Sequence, residues 1–466
     1  MTQISILNGI YVARGDWRTS YPRNLVPVPK STVISVGFLR PADGIGPFAT
    51  GPGTDRGGIN WGGACYRVMG ESLVSVDASG AVTTLGDVGP GGPVTLDYSF
   101  DCLAVWSGGR LYYWDHSTLV QVLDPDLGRV IDGRWIAGYF MSTDGTSLVV
   151  TELNDRMAVN PLKYGSAESD PDPVLAVDEL RNEAYALGRY TIEVFDNVGG
   201  TGFPFARIAG AQIQKGIIGT HAYAEIAGTF AFVGGGRNEP AAVYLAGSGS
   251  ATKISTSEID QVLLGYSEAA LAGVVVETKK DKGHEQLLIH LPDQCLVYDL
   301  AASLALKEPV WFTLASSLVG SGTYRARGLV RCYDRWIVGD PTSNQLGTLA
   351  DDVATHYGAS VGWEFATPIV YNEGRGAIFH ELELVALPGR CPFGAQPTVW
   401  TSYTLDGETW SQERAAAAGG QGQRDKRIVW RGQGKMSHWR VQRFRGTSDA
   451  PLSVARLQAR LESLNA

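Results

Sequence analysis

Short apolar runs separated by turn residues indicate that this chain is built mainly from β-strands. Between residues 174 and 195 three such runs occur, at 174–177, 183–187 and 191–195. Arg181 and Asn182 separate the first two runs, and Gly188 and Arg189 separate the last two, where tight turns are needed. Three strands in about 22 residues form a small antiparallel meander, which is the unit of a β-propeller blade.

The same hairpin pattern recurs along the chain at the spacing of propeller blades. Alternating runs at residues 103–106 and 111–114 flank a Ser-Gly-Gly turn, and those at 135–143 and 147–153 flank Asp144 and Gly145. Asp-Gly favours a hairpin because both central residues of its turn need positive φ. The hairpin pairs recur about every 35–45 residues, which is typical of a propeller. We therefore predict an all-β fold with a β-propeller core of short antiparallel meanders over residues 61–350.

The two ends of the chain differ from this core. Residues 1–60 are rich in Gly, Pro and Arg with little periodicity, which predicts an N-terminal extended arm. Beyond a boundary near residues 349–357, longer runs predict a C-terminal β-rich, sandwich-like domain over residues 351–466. One helix is predicted at residues 256–264, because Ser255 and Glu258 form a capping box before apolar residues. The periodicity of residues 452–464 fits either a strand or a helix.

Composition agrees with a globular, strand-rich protein. The chain has 466 residues, of which 44% are hydrophobic and 19% charged, and its 58 glycines favour many tight turns. The net charge of −9 argues against general nucleic-acid binding, which needs Lys and Arg clustered on one face. The charge is unevenly spread: residues 421–466 hold ten Lys or Arg and three Asp or Glu, a balance of +7, which leaves −16 on residues 1–420.

The cysteines and the apolar segments indicate where the protein folds. The five cysteines are far apart in sequence and contain no C-x-x-C pair, so we predict neither a disulfide framework nor a zinc site, and folding in a reducing cytoplasm. The N-terminus lacks the pattern of a signal peptide. No run of 18 apolar residues occurs, so we expect no membrane-spanning segment.

Cationic and aromatic residues interleave near the C-terminus. The stretch from 430 to 445 contains four arginines of interest, Arg431, Arg440, Arg443 and Arg445. One interpretation is contact with nucleic acid, by base stacking and phosphate pairing. The other is an alternating strand in which Val441 and Phe444 serve the core while the arginines pair with acidic residues of a neighbouring subunit. The acidic remainder of the chain favours the second interpretation.

Two loop carboxylates, Asp170 and Asp172, alternate with prolines that forbid a helix there. They are either solvated side chains or a pair that binds a cation, but the glycine and glutamate spacing of a calcium loop is missing, so we predict no metal. With the four arginines, both are candidate contacts to another subunit or partner. No phosphate-loop or nucleophile-elbow motif occurs, and we predict no cofactor and no catalytic residue.

The longest distinctive strings lie between residues 151 and 211. They are Thr151-Glu152-Leu153-Asn154, Pro161-Leu162-Lys163-Tyr164-Gly165-Ser166, Tyr190-Thr191-Ile192-Glu193-Val194-Phe195-Asp196-Asn197, Phe203-Pro204-Phe205 and Gly210-Ala211. On these strings the chain resembles the packaged-DNA stabilisation proteins of short-tailed phages, which form the tail nozzle, or hub, beneath the portal. The resemblance runs over most of the chain.

This resemblance implies a structural, non-enzymatic protein of the virion tail. It implies a homo-oligomer, expected to be a hexameric ring, that closes the channel, retains packaged DNA and passes it at ejection. The implied partners are the portal adaptor ring, a tail needle or plug, and a tailspike, with packaged DNA in the lumen but not bound by sequence. An acidic lumen suits this task because like charge keeps phosphates off the wall.

A β-propeller glycan hydrolase or glycan-binding tail protein is the alternative. Residues 402–410 resemble the Asp-box turn of sialidase-type propellers, in which a residue such as Asp406 accepts backbone N–H bonds and one such as Trp410 packs beneath. That turn is structural even in those enzymes. A hydrolase must gather arginines and paired carboxylates in one pocket, so such a convergence is the feature that distinguishes the two functions.

Overall fold

The first six strands of the chain belong to three different parts of the fold. A computed structural model describes residues 2–13, 15–30, 35–153, 155–167, 171–247, 249–448 and 451–464. The six strands are β1 (Thr2–Ile4), β2 (Gly9–Ala13), β3 (Asp16–Ser20), β4 (Leu25–Val28), β5 (Phe38–Pro41) and β6 (Gly44–Thr50). β2 and β3 pair as a hairpin, β1, β4 and β5 join a sheet of the C-terminal domain, and β6 joins the last blade of a propeller.

Seven small antiparallel sheets lie within the described part of residues 44–350, and we number them blades 1–7. Blade 1 contains β7 (Asp55–Trp61), β8 (Ala64–Met69), β9 (Ser72–Val76) and β10 (Val82–Asp87). Blade 2 contains β11 (Thr95–Tyr98), β12 (Leu103–Ser107), β13 (Arg110–Trp114) and β14 (Leu119–Gln121). Blade 3 contains β15 (Asp132–Ile136), β16 (Tyr139–Thr143), β17 (Ser147–Glu152) and β18 (Asp155–Ser166). Blades 4 and 5 contain β19 (Val174–Leu180), β20 (Glu183–Gly188), β21 (Ile192–Asn197), β22 (Phe205–Arg207); β23 (Gly216–Ile217), β24 (Tyr223–Ile226), β25 (Thr229–Gly235), β26 (Ala242–Gly247) and β27 (Ser250–Lys253). Blades 6 and 7 contain β28 (Val275–Asp281), β29 (His284–His290), β30 (Cys295–Asp299), β31 (Trp311–Leu314); β32 (Arg327–Cys332), β33 (Arg335–Gly339) and β34 (Gln345–Ala350), and β6 completes blade 7.

The innermost strands of the blades form a ring around the propeller axis. These strands are β7, β11, β15, β19, β24, β28 and β32, and neighbours contact each other. Between β19 and β24 the Tyr223 hydroxyl donates to the Val177 carbonyl at 3.2 Å. The ring closes because β6 pairs antiparallel with β34, from Gly44 opposite Ala350 to Thr50 opposite Gln345. A Cβ on Gly44 would overlap the Val353 carbonyl, so this closing strand begins at a position with room only for glycine.

An apolar cluster lies between each pair of neighbouring blades in the described part of the propeller. The cluster between blades 7 and 1, for example, contains Val330 and Ile337 from one blade and Val74 and Val76 from the other. Each blade therefore buries both of its faces. This explains why many blade strands, such as β12 and β25, are continuously apolar rather than alternating.

Three short α-helices accompany the propeller within the described residues, α1 (Ser257–Leu264), α2 (Glu268–Ala272) and α3 (Leu300–Leu306), together with a 3₁₀ turn at Pro125–Leu127. Helix α1 confirms the helix predicted at 256–264, but its N-cap is Thr256, whose side chain accepts a bond from the Ile259 N–H. The Ser255 hydroxyl instead accepts from the Val243 N–H at 3.1 Å, which ties the helix entry to blade 5.

Two sheets enclose one apolar core in the C-terminal part of the chain. Their strands are β35 (Gly362–Ala366), β36 (Val370–Tyr371), β37 (Ala377–Ala386), β38 (Thr398–Thr404), β39 (Arg414–Ala417), β40 (Ile428–Arg431), β41 (Lys435–Met436), β42 (Trp439–Thr447) and β43 (Val454–Ser463). One sheet has the order β4-β5-β43-β37-β40, with β1 on β43 and β41 on β37, and the other has the order β35-β42-β38-β39, with β36 on β42. Phe379 and Leu457 from the first sheet pack with Phe365 and Phe444 from the second. The ambiguous C-terminal residues are therefore strand.

The N-terminal region differs from the extended arm expected over residues 1–60. Residues 44–61 supply β6 and β7 to the propeller, and residues 2–41 supply strands to the sandwich. These strands were not predicted from the sequence because prolines within them argue against a strand. Pro27 lies in β4 and Pro47 in β6, and each of these strands is at the edge of its sheet, where a missing N–H is tolerated.

Asn24 joins the propeller, the sandwich and the N-terminal segment, and we expect its replacement by alanine to destabilise the protein by about 2–3 kcal/mol. Its buried amide donates to the carbonyls of Ala315 at 2.9 Å and Gly362 at 2.7 Å, and accepts from the Ala315 N–H at 3.0 Å. Because Asn24 has a φ of 54°, the alanine also carries backbone strain. Asn182→Ala is the control in urea unfolding, since Asn182 has a similar φ of 65° in an exposed turn. Equal losses for the two variants would show that strain, not the junction, sets the effect.

Candidate functional site

Strand β42 carries three of the four candidate arginines, and its residues face in two directions. Phe444 is buried in the sandwich core, as the sequence predicted, whereas Val441 is buried on the opposite face of the strand, outside that cluster. Arg440 is also buried, with 0% of its surface exposed, which corrects its assignment as a contact to another subunit. The N-terminal hairpin covers this part of the strand: Trp17 packs edge-on against Trp439 at 5.2 Å between ring centroids.

The Arg440 guanidinium is held by aromatic rings and amides rather than by a carboxylate. Its central carbon lies 3.7 Å from the Tyr403 ring centroid and 4.2 Å from that of Phe379. Its nitrogens donate to the Gln433 carbonyl at 2.6 Å and to the Gln442 side-chain oxygen at 2.8 and 3.0 Å. Burial lowers the pKa of this group. Arg440 is thus a structural residue of the sandwich.

Arg443 and Arg445 lie on the other face of β42 and share one acidic partner in the same chain. Arg445 Nε donates to Glu413 at 2.6 Å, and Arg443 lies 3.9 Å from the same carboxylate. Each guanidinium also lies over an indole ring, Arg443 over Trp410 at 4.2 Å and Arg445 over Trp400 at 5.2 Å. Both side chains remain about a third exposed, so a further contact with another subunit stays a prediction.

Arg431 is the most exposed of the four arginines, with 82% of its side-chain surface accessible. It stands directly opposite Glu381 across β40 and β37, and their charged atoms are 3.4 Å apart. Arg427 on the same edge pairs with Glu383. Four basic residues of the C-terminal stretch therefore pair with three glutamates that precede residue 421, within their own domain. Part of the uneven charge along the sequence reflects this pairing of basic strands with acidic residues.

The two candidate carboxylates of the proline-rich loop have different outcomes. Asp170 lies outside the described residues. Asp172 holds a turn of blade 4, because one oxygen accepts from the backbone N–H groups of Tyr190 at 2.7 Å and Thr191 at 2.8 Å. Within the described ranges, no three His, Cys, Asp or Glu residues lie together as metal ligands.

A cavity of about 570 Å³ opens on the propeller axis. Its wall is formed by the beginnings of the innermost strands of blades 1, 2, 3, 5, 6 and 7, which sequence reasoning did not single out. The charged and polar side chains on this wall include Arg56, Arg134, His221, Glu277 and Arg327. They come from distant parts of the sequence, so no local motif could have revealed them.

Two of the three carboxylates in the wall of this axial cavity, those of Asp55 and Glu277, are already engaged, and the third, Glu71, is exposed. Asp55 forms a bidentate ion pair with the fully buried Arg67, with both N–O distances at 2.7 Å. Glu277 accepts from the Leu329 N–H at 2.9 Å and lies 2.9 Å from His290. Burial alone would raise the pKa of Glu277, but His290 and the N–H outweigh it and lower the pKa. Arginines and carboxylates therefore converge here, but Asp55 and Glu277 are engaged, so Glu71 lacks the second free carboxylate that a glycoside hydrolase uses.

The Asp-box-like turn lies in the sandwich rather than in the propeller. Asp406 accepts the backbone N–H bonds of Glu408 at 2.9 Å and Thr409 at 2.7 Å, as predicted for such a turn. These bonds lower the pKa of Asp406. The turn is structural and is separate from the axial cavity.

Buried His356 should make the protein less stable as the pH falls. Its ring lies 2.7 Å from the Ser316 hydroxyl, and burial lowers its pKa to about 4, with the charge of Arg325 adding to the effect. The unfolded state takes up a proton near pH 6.5 and the folded state only near pH 4, so stability falls through this window, by up to about 3 kcal/mol. His356→Gln should flatten the pH dependence of urea unfolding, whereas His438→Gln, at an exposed position, should not. Parallel curves for parent and His356→Gln would contradict this assignment.

None of the helices in the described ranges combines the length and apolar character that crossing a membrane requires.

A seven-bladed propeller joined to a β-sandwich defines an all-β protein of two domains. The family described as "Bacteriophage P22 Gp10, beta-propeller" matches residues 2–354, and the one described as "Bacteriophage P22 Gp10, beta-sandwich" matches residues 362–462. The chain belongs to this bacteriophage P22 Gp10 family, which confirms the family resemblance, and it is a component of a phage tail.

A related phage tail protein agrees with this assignment. The tail hub protein gp10 of Salmonella phage P22 is 28% identical over 468 residues, which is 96% of each chain. Among solved structures, the designed Ika8 protein has a TM-score of 0.41 at 10% identity, covering 66% of this chain and 99% of its own. The Pan2 WD40 domain of Neurospora crassa has a TM-score of 0.42 at 8% identity, covering 67% of this chain and 97% of its own. These two structural likenesses are too weak to support a conclusion.

Proposed function

We propose that six copies of this chain form a ring in the virion tail, below the portal and its adaptor ring. The observation that supports this most directly is the match to the P22 tail hub protein over 96% of both chains. A propeller alone hosts many functions. A match that also spans the sandwich and the N-terminal segment supports a common role for the whole protein.

In this proposal the ring closes the channel, retains the packaged DNA and passes it at ejection. Its partners are the portal adaptor ring, a tail needle or plug, and a tailspike. The net charge of −9 supports a lumen that DNA passes without sequence-specific binding, because like charges keep phosphates off the wall. The proposal contains no enzymatic step, and the engaged state of Asp55 and Glu277 supports this.

The first test is the mass of the purified protein in solution, alone and with portal–adaptor complex. We expect a 49.9 kDa monomer that forms a six-copy ring only on the complex. A chain that ignores the complex and instead cleaves glycan reporters would overturn the proposal in favour of a propeller hydrolase.

A charge reversal can locate the contact surface in the same assay. Arg431→Glu should slow ring assembly by about tenfold if Arg431 lies at the rim of a contact, because rim charges act mainly on the association rate. Arg331→Glu is the matched control, since Arg331 is an exposed arginine on blade 7. Equal assembly rates for the two variants would remove Arg431 from the candidate contacts.

A further inference from the structure

The axial cavity has the size and construction of a small-molecule site. Its volume of about 570 Å³ falls in the usual range for ligand pockets, roughly 300–1,000 Å³. Glycines line the wall at positions 57, 58 and 328 in the innermost strands and at positions 91 and 92 in the loop before β11, and they add no side chain over the main-chain polar groups. Val94, Leu96 and Val276 add apolar surface. A pocket of this kind offers hydrogen bonds and apolar contact to a compact polar molecule.

Two of the three arginines on this wall have their bonding capacity used within the chain. Arg134 pairs with Asp178 at 3.2 Å. Arg56 donates to the carbonyls of Gly70, Gly89 and Gly92 and to the Ser107 hydroxyl, at 2.7–2.9 Å. These contacts fix both guanidinium groups as parts of the wall.

Arg327 is different. Among the described residues, no hydrogen bond and no ion pair within 4.0 Å involves its side chain. The nearest acids, Asp55 and Glu277, are held by Arg67 and by His290. Burial lowers the pKa of Arg327 and these acids only oppose that effect from a distance. A half-buried guanidinium whose five N–H donors have no partner is well suited to bind an anion.

The neighbouring groups indicate how much negative charge the ligand carries. Burial lowers the pKa of His221 to about 4, with the charges of Arg327 and Arg134 in the same direction, so its ring is neutral at pH 7. One unpaired positive charge, with Glu277 and Asp55 nearby, suits a monoanion. A phosphate monoester would bring about −1.5 to −2 charges against the same two carboxylates.

We propose that the axial cavity binds a small hydroxylated molecule that carries one carboxylate, such as an acidic sugar or a hydroxy acid, and that Arg327 holds the carboxylate. The ligand is bound without being cleaved, because Asp55 and Glu277 are engaged, which leaves Glu71 without the second carboxylate that glycoside hydrolysis needs. The site belongs to each propeller singly, so it goes beyond the proposed ring and does not depend on it.

Calorimetric titration of the full-length monomer with D-glucuronate tests the proposal, with D-glucose as the neutral analogue and glucose 6-phosphate as the phosphate analogue. We expect binding of glucuronate, at least about tenfold weaker binding of glucose, and a loss of at least about tenfold for glucuronate in Arg327→Gln. Arg331→Gln, four residues along the same strand and exposed, should bind as the parent does. Since Arg327 has no partner to lose, Arg327→Gln should unfold at or above the parent temperature.

Three results would overturn the proposal: no glucuronate binding at millimolar concentration, equal binding of glucose, or unchanged binding by Arg327→Gln. Tighter binding of glucose 6-phosphate than of glucuronate would show that the site recognises a phosphate rather than a carboxylate. If Arg327→Gln does not fold, Arg327→Lys is the second variant. It keeps the positive charge but loses the paired N–H groups that hold a carboxylate with two hydrogen bonds, so it should bind glucuronate more weakly than the parent. Ring assembly is measured separately, so failure here leaves the proposed ring untouched, and failure of the ring leaves this site untouched.

Discussion

Replacing Arg67 with alanine should destabilise the propeller by about 3–5 kcal/mol, because it leaves a buried carboxylate without its counter-charge. Arg67 lies in β8 with 0% of its surface exposed and binds Asp55 in β7 through two hydrogen bonds of 2.7 Å. It also donates to the Gly328 carbonyl at 2.8 Å. These bonds link blade 1 to blade 7, where the N-terminal strand β6 closes the ring. Loss of the guanidinium therefore weakens the propeller at its closure.

The measurement is urea unfolding of the parent, Arg67→Ala, Asp55→Asn and the double variant Asp55→Asn with Arg67→Met. The double variant should lose much less unfolding free energy than the two single variants lose together, because it removes both charges and leaves none unpaired. Arg331→Ala, on the exposed face of blade 7, should stay within about 0.5 kcal/mol of the parent. Additive losses in the double variant would show that the two residues act through packing and not through their ion pair.

The parts of this fold that the sequence predicted are those whose partners are near in sequence. The meander at residues 174–195 became β19–β21, and the Asp144-Gly145 turn became the β16–β17 hairpin. Strand β6 was not predicted because it pairs with β34, some 300 residues away, and because its proline and glycines suppress the alternating pattern. Pairing between strands so far apart in the chain leaves no periodic hydrophobic pattern in the local sequence.

The candidate site was predicted less well, for the same physical reason. The interpretation as a strand placed Phe444 correctly in the core, but Val441 is buried on the opposite face, and Arg440, Val441 and Gln442 are three consecutive buried residues. There β42 changes partner from β36 to β35, and the N-terminal hairpin covers its outer face. A covering element from the other end of the chain cannot be read from the strand itself. The axial wall, assembled from six blades, is hidden in the same way.

Arg440→Ala should destabilise the sandwich by about 3 kcal/mol, combining a cavity in the core with two acceptors that lose their donors. The guanidinium lies between the rings of Tyr403 and Phe379, at 3.7 and 4.2 Å from their centroids, and binds Gln433 and Gln442. Since no carboxylate in the described part of the chain pairs with it, the two rings supply the stabilisation that a counter-ion gives elsewhere. The loss should appear in the unfolding of the sandwich before that of the propeller.

Two further variants separate the charge from the volume of Arg440. Arg443→Ala, on the exposed face of the same strand, should cost about 1 kcal/mol or less, because its ion pair and ring contact are partly in water. Arg440→Met restores most of the volume but neither the cation–π contacts nor the hydrogen bonds, so it should lie between the alanine variant and the parent. If Arg440→Met were more stable than the parent, the cost of burying the charge would exceed what its contacts return. The arginine would then be kept for a reason other than stability.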